Sequence, residues 1–408
     1  MRTAIAGVLL GLAGGGSVGQ EADLVQRLRQ TYVAAADWLV GQQGPDGAWK
    51  MGPPGREAPS PSYTGLILTA LANAPKEISS KYREAMDKAA AFLLSKANPD
   101  GSFGEGPTGG FLKTYTTAIA MMALSSVEPT DRIRDVLRGA QAYLKQHQLR
   151  EGIGAGGLGY GDEEPKIDPQ TGRPGVKKAE IPNLSVTGFA AEGMIMAERA
   201  GLPRDKEFWE LVVKYVRRCQ NSTEVNVEPE FQAELRKYGL SVGDDGGLYY
   251  AAAGDPKIHK AGTRKIADRE VIRSYGSMTY DGIKTYLYAG LSKDSPEVRA
   301  AVDWVRKNYS VEAHPGFPFD PGTRHHERGL FYYYLLMARA LDAYGENPFE
   351  TFDGKKHDWP RELAERFLRT VRESKMWKND NPAWYEGDPV LVTSYVLVTC
   401  DVLLKNMK

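Results

Sequence analysis

An all-α fold, an α/α toroid with inner and outer rings of six helices, is predicted by two features of this 408-residue sequence. One is a recurring unit: a helix-forming segment runs into a Gly-rich turn with an aromatic residue, and then into an almost wholly apolar helix. The other is the character of that second helix, which is apolar on nearly all sides and therefore has to lie between an outer layer and a central space. Self-similarity at this period is the mark of a repeat architecture, in which each unit buries its apolar face only against its neighbours. Six helix pairs that close into a ring hide every such face.

The elements follow in order. In the first unit Ala35, Trp38, Leu39 and Gln43 share one helix face, Gly44 to Trp49 form the turn, and residues 63–71 begin the inner helix. Outer helices are marked by aromatic-aliphatic pairs at Trp38-Leu39, Phe92-Leu93, Tyr143-Leu144, Tyr215-Val216, Trp304-Val305 and Phe367-Leu368. Five positions after the aromatic stands Gln43, Gln148 or Gln220, replaced by Ala97, Tyr309 and Arg372 in the other units. The turns close on Gly47-Ala48-Trp49, Gly101-Ser102-Phe103, Gly157-Leu158-Gly159-Tyr160, Gly247-Leu248-Tyr249, Gly316-Phe317 and Pro382-Ala383-Trp384. Inner helices carry an anchor at Thr64, Thr117, Thr187, Thr279, Tyr334 and Thr393. Wider spacing between anchors locates two insertions, near 162–183 and 221–274, the second with a short helix over 229–237. Long insertions are candidates for a lid or a partner-binding surface, or are surface elaboration.

The remaining composition bounds the function. Hydrophobic residues make up 42% and charged residues 25%, ordinary values for a globular domain, and 52 basic residues balance 52 acidic ones. No general basic field is present, so nucleic acid is not an expected partner. Arg2, an apolar stretch over 4–13, and small residues at Ser17 and Gly19 read as a signal peptide over 1–19 with cleavage before Gln20. The expected mature chain, 20–408, is one toroid domain, exported to the periplasm or the cell exterior, with no transmembrane segment. Cys219 and Cys400 fall at unlike repeat positions and are expected as buried, unpaired thiols.

The first unit resembles the repeat of the terpenoid cyclase and protein prenyltransferase superfamily, in which a Gln on the outer helix is coupled to a Trp after Gly. It lacks only the leading basic residue, where Ala34 stands. Ser274-Tyr275-Gly276-Ser277-Met278-Thr279-Tyr280, Gly329-Leu330-Phe331-Tyr332-Tyr333-Tyr334 and Trp384-Tyr385-Glu386-Gly387-Asp388-Pro389 look most like bacterial exported proteins with squalene-cyclase-like repeats. The resemblance implies the toroid; a fold alone does not fix a reaction.

The catalytic motifs of the resembled families are missing. Hopene-type cyclases carry Asp-Xaa-Asp-Asp-Thr-Ala at the start of an inner helix, whose middle acid protonates the olefin. Here Asn183-Leu184-Ser185-Val186-Thr187-Gly188 and Lys113-Thr114-Tyr115-Thr116-Thr117-Ala118 hold no acid. Prenyltransferases hold zinc with an Asp, a Cys and a His, whereas the corresponding stretches here offer Met278, Thr279 and Tyr280, and Val392, Thr393 and Ser394. His325-His326-Glu327 lacks a spaced partner, and Gly152, Gly154 and Gly157 follow a helix rather than a strand. No metal or cofactor is expected.

The candidates that remain sit at the mouths of the inner helices. Tyr63, Tyr115, Tyr275, Tyr280, Tyr334 and Trp384 are candidate ligand-binding faces for a polyisoprenoid chain or a cation, with core packing the plainer reading. Asp281 and Asp388 are the candidate catalytic acids, or simply acids well placed near helix N-termini. Converging N-termini would also favour an anionic group, unless Ser and Thr there only cap helices. Three functions stay open: binding of an apolar or peptide ligand in a central cavity, an enzyme of cyclase or transferase type using Asp281 or Asp388, and a protein-interaction scaffold.

Overall fold

The computed structural model describes residues 15–53, 55–105, 112–161, 181–320 and 322–407. Most of the expected leader, and residues 162–180 of the first insertion, lie outside the described residues. The helices are α1 (Gly15–Val40), α2 (Pro61–Asn73), α3 (Lys76–Ser79), α4 (Arg83–Lys96), α5 (Lys113–Ser125), α6 (Asp131–His147) and α7 (Leu184–Arg199). They continue with α8 (Lys206–Arg218), α9 (Pro229–Lys237), α10 (Gly276–Ala289), α11 (Pro296–Asn308), α12 (Leu330–Tyr344), α13 (Trp359–Thr370) and α14 (Pro389–Asn406).

Helices α2, α5, α7, α10, α12 and α14 each touch the next, and α14 returns to α2, closing an inner ring. Helices α1, α4, α6, α8, α11 and α13 pack around it, and α1 docks on α14, so the first outer helix rests on the last inner one. This is the α/α toroid. The difference between the rings is visible in burial. Every residue of α2 from Pro61 through Leu71 is buried, while α8 buries Phe208, Trp209, Val212, Val213, Tyr215 and Val216 and exposes Glu210, Lys214 and Arg217. Burying each large apolar side chain is worth about 1.5–3 kcal/mol, so the sandwiched inner ring carries most of the cohesion.

Two hydrogen bonds explain why the repeated residues recur. Each anchor threonine accepts the N–H of the turn's apolar residue: Trp49 on Thr64 (3.0 Å), Phe103 on Thr117 (2.8 Å), Leu158 on Thr187 (3.0 Å) and Leu248 on Thr279 (3.0 Å). At the fifth anchor the Tyr334 phenol instead donates to the Val311 carbonyl at 2.7 Å. The glutamines tie each turn to the next outer helix. Gln43 donates to Gly47 and to Ala85 of α4, Gln148 to Gly156 and to Phe208 of α8, and Gln220 to Gly246 and to Glu297 of α11. The carbonyls met by Gln148 and Gln220 are sealed from water, so an unmade bond there would cost more than a made one gains.

Two turns differ from the expected register. In the last unit Trp377, not Trp384, donates its N–H to Thr393 (3.1 Å) and its indole N–H to Phe367, just as Trp49 donates its indole N–H to Leu39. Lys375, at φ +63°, holds the left-handed position that glycine holds elsewhere, which hid the turn from a search for Gly. Gly316 packs on Ser274 and Tyr275 at the base of α10 rather than on an outer helix, so it is not a repeat turn either.

The second insertion is ordered. It contains the short helix α9 and a three-stranded sheet made by Leu240–Ser241, Thr263–Ile266 and Arg269–Ile272. Asn221 clamps its base, donating to the Ile272 carbonyl and the Ser274 hydroxyl. Among the described residues α14 alone has the length and apolarity of a membrane span. It is a ring element packed between α2, α12, α1 and α13, and most of its window is buried. Cys219 and Cys400 are both buried and unpaired.

Candidate functional site

The inner helices bring their N-termini to one end of the ring, around a cavity of about 210 Å³. All of them contribute a residue near their start: Tyr63 from α2, Tyr115 from α5, Ser185 from α7, Met278 from α10, Tyr332 from α12 and Tyr395 from α14. An inner helix is packed on its flanks and back, so the side chain facing the axis has only the cavity to face. Leu66 and Ile119, one turn deeper, form apolar wall, and loops add Met51, Leu112, Tyr160, Tyr250, Tyr275, Trp384 and Tyr385.

Four of the wall tyrosines spend their hydroxyls on the chain itself. The Tyr115 and Tyr332 hydroxyls share the Ser185 hydroxyl (3.2 and 2.7 Å), and Tyr160 and Tyr250 bond at 2.7 Å. Phe189 stacks behind Tyr115, with ring centres 4.6 Å apart. Trp384 stands edge-on to Tyr332 and Phe317, its ring against Gly329, where a Cβ would collide with it. Trp384 and Tyr385 both have left-handed backbones, φ +58° and +66°, a strained pair at the cavity wall.

Of the expected ligand-binding residues, Tyr63, Tyr115, Tyr275 and Trp384 line this cavity. Tyr280 and Tyr334 do not. Tyr280 packs on Tyr333 between α10 and α12, and Tyr334 turns outward to Val311 and Arg366 because its position belongs to the repeat anchor. Tyr332, two residues away, takes the inward direction instead.

The helix N-termini are already occupied by the chain's own groups. Glu105 accepts from the Ser62 N–H (2.8 Å) and the Ser60 hydroxyl at the start of α2. Glu386 accepts from the Tyr332 (2.7 Å) and Phe331 N–H groups of α12 and from the Asn379 amide. Asn183 caps α7, and the Tyr160 carbonyl accepts the Thr114 N–H of α5. His314 Nε2 accepts the Ser277 N–H of α10 while its Nδ1 faces the Arg328 carbonyl; burial pushes its pKa down to about 3, so the ring is neutral. Burial raises the pKa of Glu105, and that of Glu386 to about 7, against the pull of their hydrogen bonds.

The two candidate acids have different surroundings. Asp281 is fully buried behind the cavity wall, with Lys284 Nζ at 2.8 Å and the α-carbon of Gly188 against its carboxylate. Lys284 also reaches Glu192 (3.0 Å), which pairs with Arg339 (2.6 Å), so two acids and two bases from α7, α10 and α12 neutralise each other inside the ring. Burial raises the Asp281 pKa to about 6 even beside Lys284. Asp388 caps α14 through the Val390 N–H (2.8 Å) and accepts the Tyr63 hydroxyl at 3.0 Å. It touches the cavity only through that phenol, whose pKa burial and then Asp388 drive upward. Among the described residues no carboxylate lines the cavity itself.

Sequence reasoning missed Glu105, Glu386 and Lys260. Glu386 stands inside a motif singled out for its aromatics and Glu105 two residues after the turn at Gly101-Ser102-Phe103, and what distinguishes them is burial at a helix start, which no local pattern encodes. Lys260 lines the cavity from within the second insertion, whose path is not legible from sequence.

No protein-family model matches the chain, and no curated protein matches it in sequence. Solved structures do match in fold. The type II terpene cyclase MstE from Scytonema, as an apo variant, superposes with a TM-score of 0.56 at 15% identity, over 95% of this chain and 99% of that one. The GH76A alpha-1,6-mannanase from Salegentibacter superposes with a TM-score of 0.53 at 11% identity, over 91% and 99%. The chain is thus an α/α toroid of the kind shared by a terpene cyclase and a glycosidase, and at these identities the likeness concerns the fold.

Proposed function

We propose that this toroid binds an apolar, isoprenoid- or lipid-like molecule in the cavity at the N-terminal end of its inner ring. The observation that carries the reading is the wall: tyrosines, Trp384, Leu66, Ile119, Met278 and Leu391 converge from five of the six inner helices and the connecting loops. The cavity, about 210 Å³, exceeds the ~150 Å³ apolar cavity that accepts benzene. Related toroids hold very different ligands, geranylgeranyl dihydroxybenzoate in the Scytonema cyclase and alpha-1,6-mannotriose in the mannanase. Sugar sites rely on hydrogen-bonding groups aimed at hydroxyls, whereas here Tyr115, Tyr332, Tyr160 and Tyr250 spend theirs on the chain, which supports an apolar occupant. Export of the mature chain from Gln20 belongs to the same proposal.

A second reading, an enzyme, rests on the Tyr63–Asp388 pair, which holds a carboxylate one hydrogen bond behind a phenol on the cavity wall. The test of both is extraction of protein purified from its own host, followed by mass spectrometry and by incubation with isoprenoid alcohols. Stoichiometric apolar ligand, lost in Ile119→Trp, supports binding. Conversion of that ligand by the wild type and not by Tyr63→Phe supports the second reading. A protein that neither carries nor takes up an apolar molecule refutes the first.

A further inference from the structure

The mouth of the cavity carries a pair of cations that nothing in the fold described so far uses. Lys260, from the second insertion, lines the cavity with its ammonium 4.7 Å from the centre of the Tyr250 ring. Arg328, just before α12, lays its guanidinium 5.9 Å from the centre of the Trp384 ring, and one of its nitrogens reaches the Lys260 carbonyl at 3.5 Å. Tyr250 and Trp384 are both cavity walls, so Lys260, which lines the cavity, and Arg328, which packs on Trp384 and reaches the Lys260 backbone, stand side by side at that wall. Among the described residues neither cation has a carboxylate within ion-pair distance.

Two neighbouring cations on partly dry aromatic walls disfavour each other, and the Lys260 pKa is lowered, first by burial and then by Arg328. Such a pair attracts an anion. The chain's own acids nearby are committed elsewhere: Glu386 to the start of α12, Glu105 to the start of α2, and Asp388 to Tyr63 and Val390. The helix N-termini, the other positive feature of this end of the ring, are filled by those acids at α2, α12 and α14 and by the Tyr160 carbonyl, Asn183 and His314 at α5, α7 and α10.

We infer that Lys260 and Arg328 form a head-group site, so that the ligand of the cavity is an amphiphile whose hydrocarbon body lies against the tyrosines and whose anionic end meets the two cations. The inference rests on the apolar-cavity reading and adds the charge and position of the head. It also gives the second insertion a role, since that segment delivers both Tyr250 and Lys260.

Titration calorimetry with three probes sharing one hydrocarbon chain separates the claims: farnesol, farnesoic acid and farnesyl monophosphate, against the full mature chain and the variants Lys260→Gln, Arg328→Gln and their combination. The expected result is that at least one anionic probe binds roughly tenfold or more tighter than farnesol, as charge-assisted contacts in a partly dry site allow. Each single variant loses much of that advantage and the double variant abolishes it, so that the double variant no longer distinguishes the anionic probes from farnesol, while helical circular dichroism and a urea midpoint matching the wild type show that the variants fold. A preference for the acid or for the phosphate identifies the head. Equal binding of all three probes, or an advantage that survives in the double variant, overturns the head-group site and leaves the cavity reading standing. Absence of binding by every probe, farnesol included, overturns both.

Discussion

Replacing Glu386 with Gln tests how a buried acid at a helix start sets the stability of this ring. The carboxyl is fully buried, accepts the Tyr332 and Phe331 N–H groups and the Asn379 amide, and has its pKa moved from the ordinary 4.5 to about 7, chiefly by burial. An acid with a raised folded pKa takes up a proton on folding between those two values. Its stabilisation is therefore complete below pH 4.5 and is lost as pH rises through about 7. At 1.36 kcal/mol per pH unit the difference amounts to about 3 kcal/mol, an upper figure for one group. Buried His314 and His259, with pKa values pushed down by burial to about 3 and about 4, work in the opposite direction: their stabilisation is complete above the ordinary histidine value and is lost as pH falls. The wild type alone would mix these contributions. Urea unfolding of wild type and Glu386→Gln side by side, from pH 4.5 to 8, cancels the histidines. The wild type should lose about 3 kcal/mol relative to the variant across that range, most of it between pH 5 and 7. A difference independent of pH, or one that moves in favour of the wild type as pH rises, would refute the argument that burial outweighs the hydrogen bonds at this site.

Gln220→Ala removes the donor to the Gly246 and Glu297 carbonyls and the acceptor of the Tyr286 hydroxyl, all sealed in the wall between outer helices. It should cost about 2–4 kcal/mol in urea unfolding, and Gln43→Ala, whose site is only half-buried, should cost less; equal costs would contradict the burial argument. Lys284→Met strands Asp281 and Glu192 without their shared cation and should destabilise by about 3–5 kcal/mol, with Asp281→Asn added to it recovering part of the loss. A single variant as stable as the wild type would mean that these charges are not mutually compensating.

The sequence by itself determined the ring. The apolar inner helices and the amphipathic outer ones are local periodicities, and the recurrence of Thr64, Thr117, Thr187 and Thr279 with Gln43, Gln148 and Gln220 reports hydrogen bonds that recur from copy to copy. Such constraints are written at fixed spacing, so they are legible. The short helix over 229–237 was legible for the same reason. Where a turn uses another residue for the same backbone conformation, as Lys375 does, the sequence pattern points to Trp384 while Trp377 makes the repeat contact.

Only the tertiary structure decided what faces the cavity. Tyr332 and Tyr334 lie two residues apart in one helix, yet one lines the axis and the other reaches an outer loop, because helix rotation about its own axis is set by neighbours distant in sequence. Asp281, placed by sequence at the mouth, is drawn behind the wall by Lys284 on its own helix and by the closeness of Gly188 on the next. Glu105 and Glu386 cap helices begun by other segments, and Lys260 and Arg328 meet across 68 residues of chain. A periodic pattern specifies which face of a helix is apolar, whereas the meeting of charges from separate segments depends on how the whole ring closes.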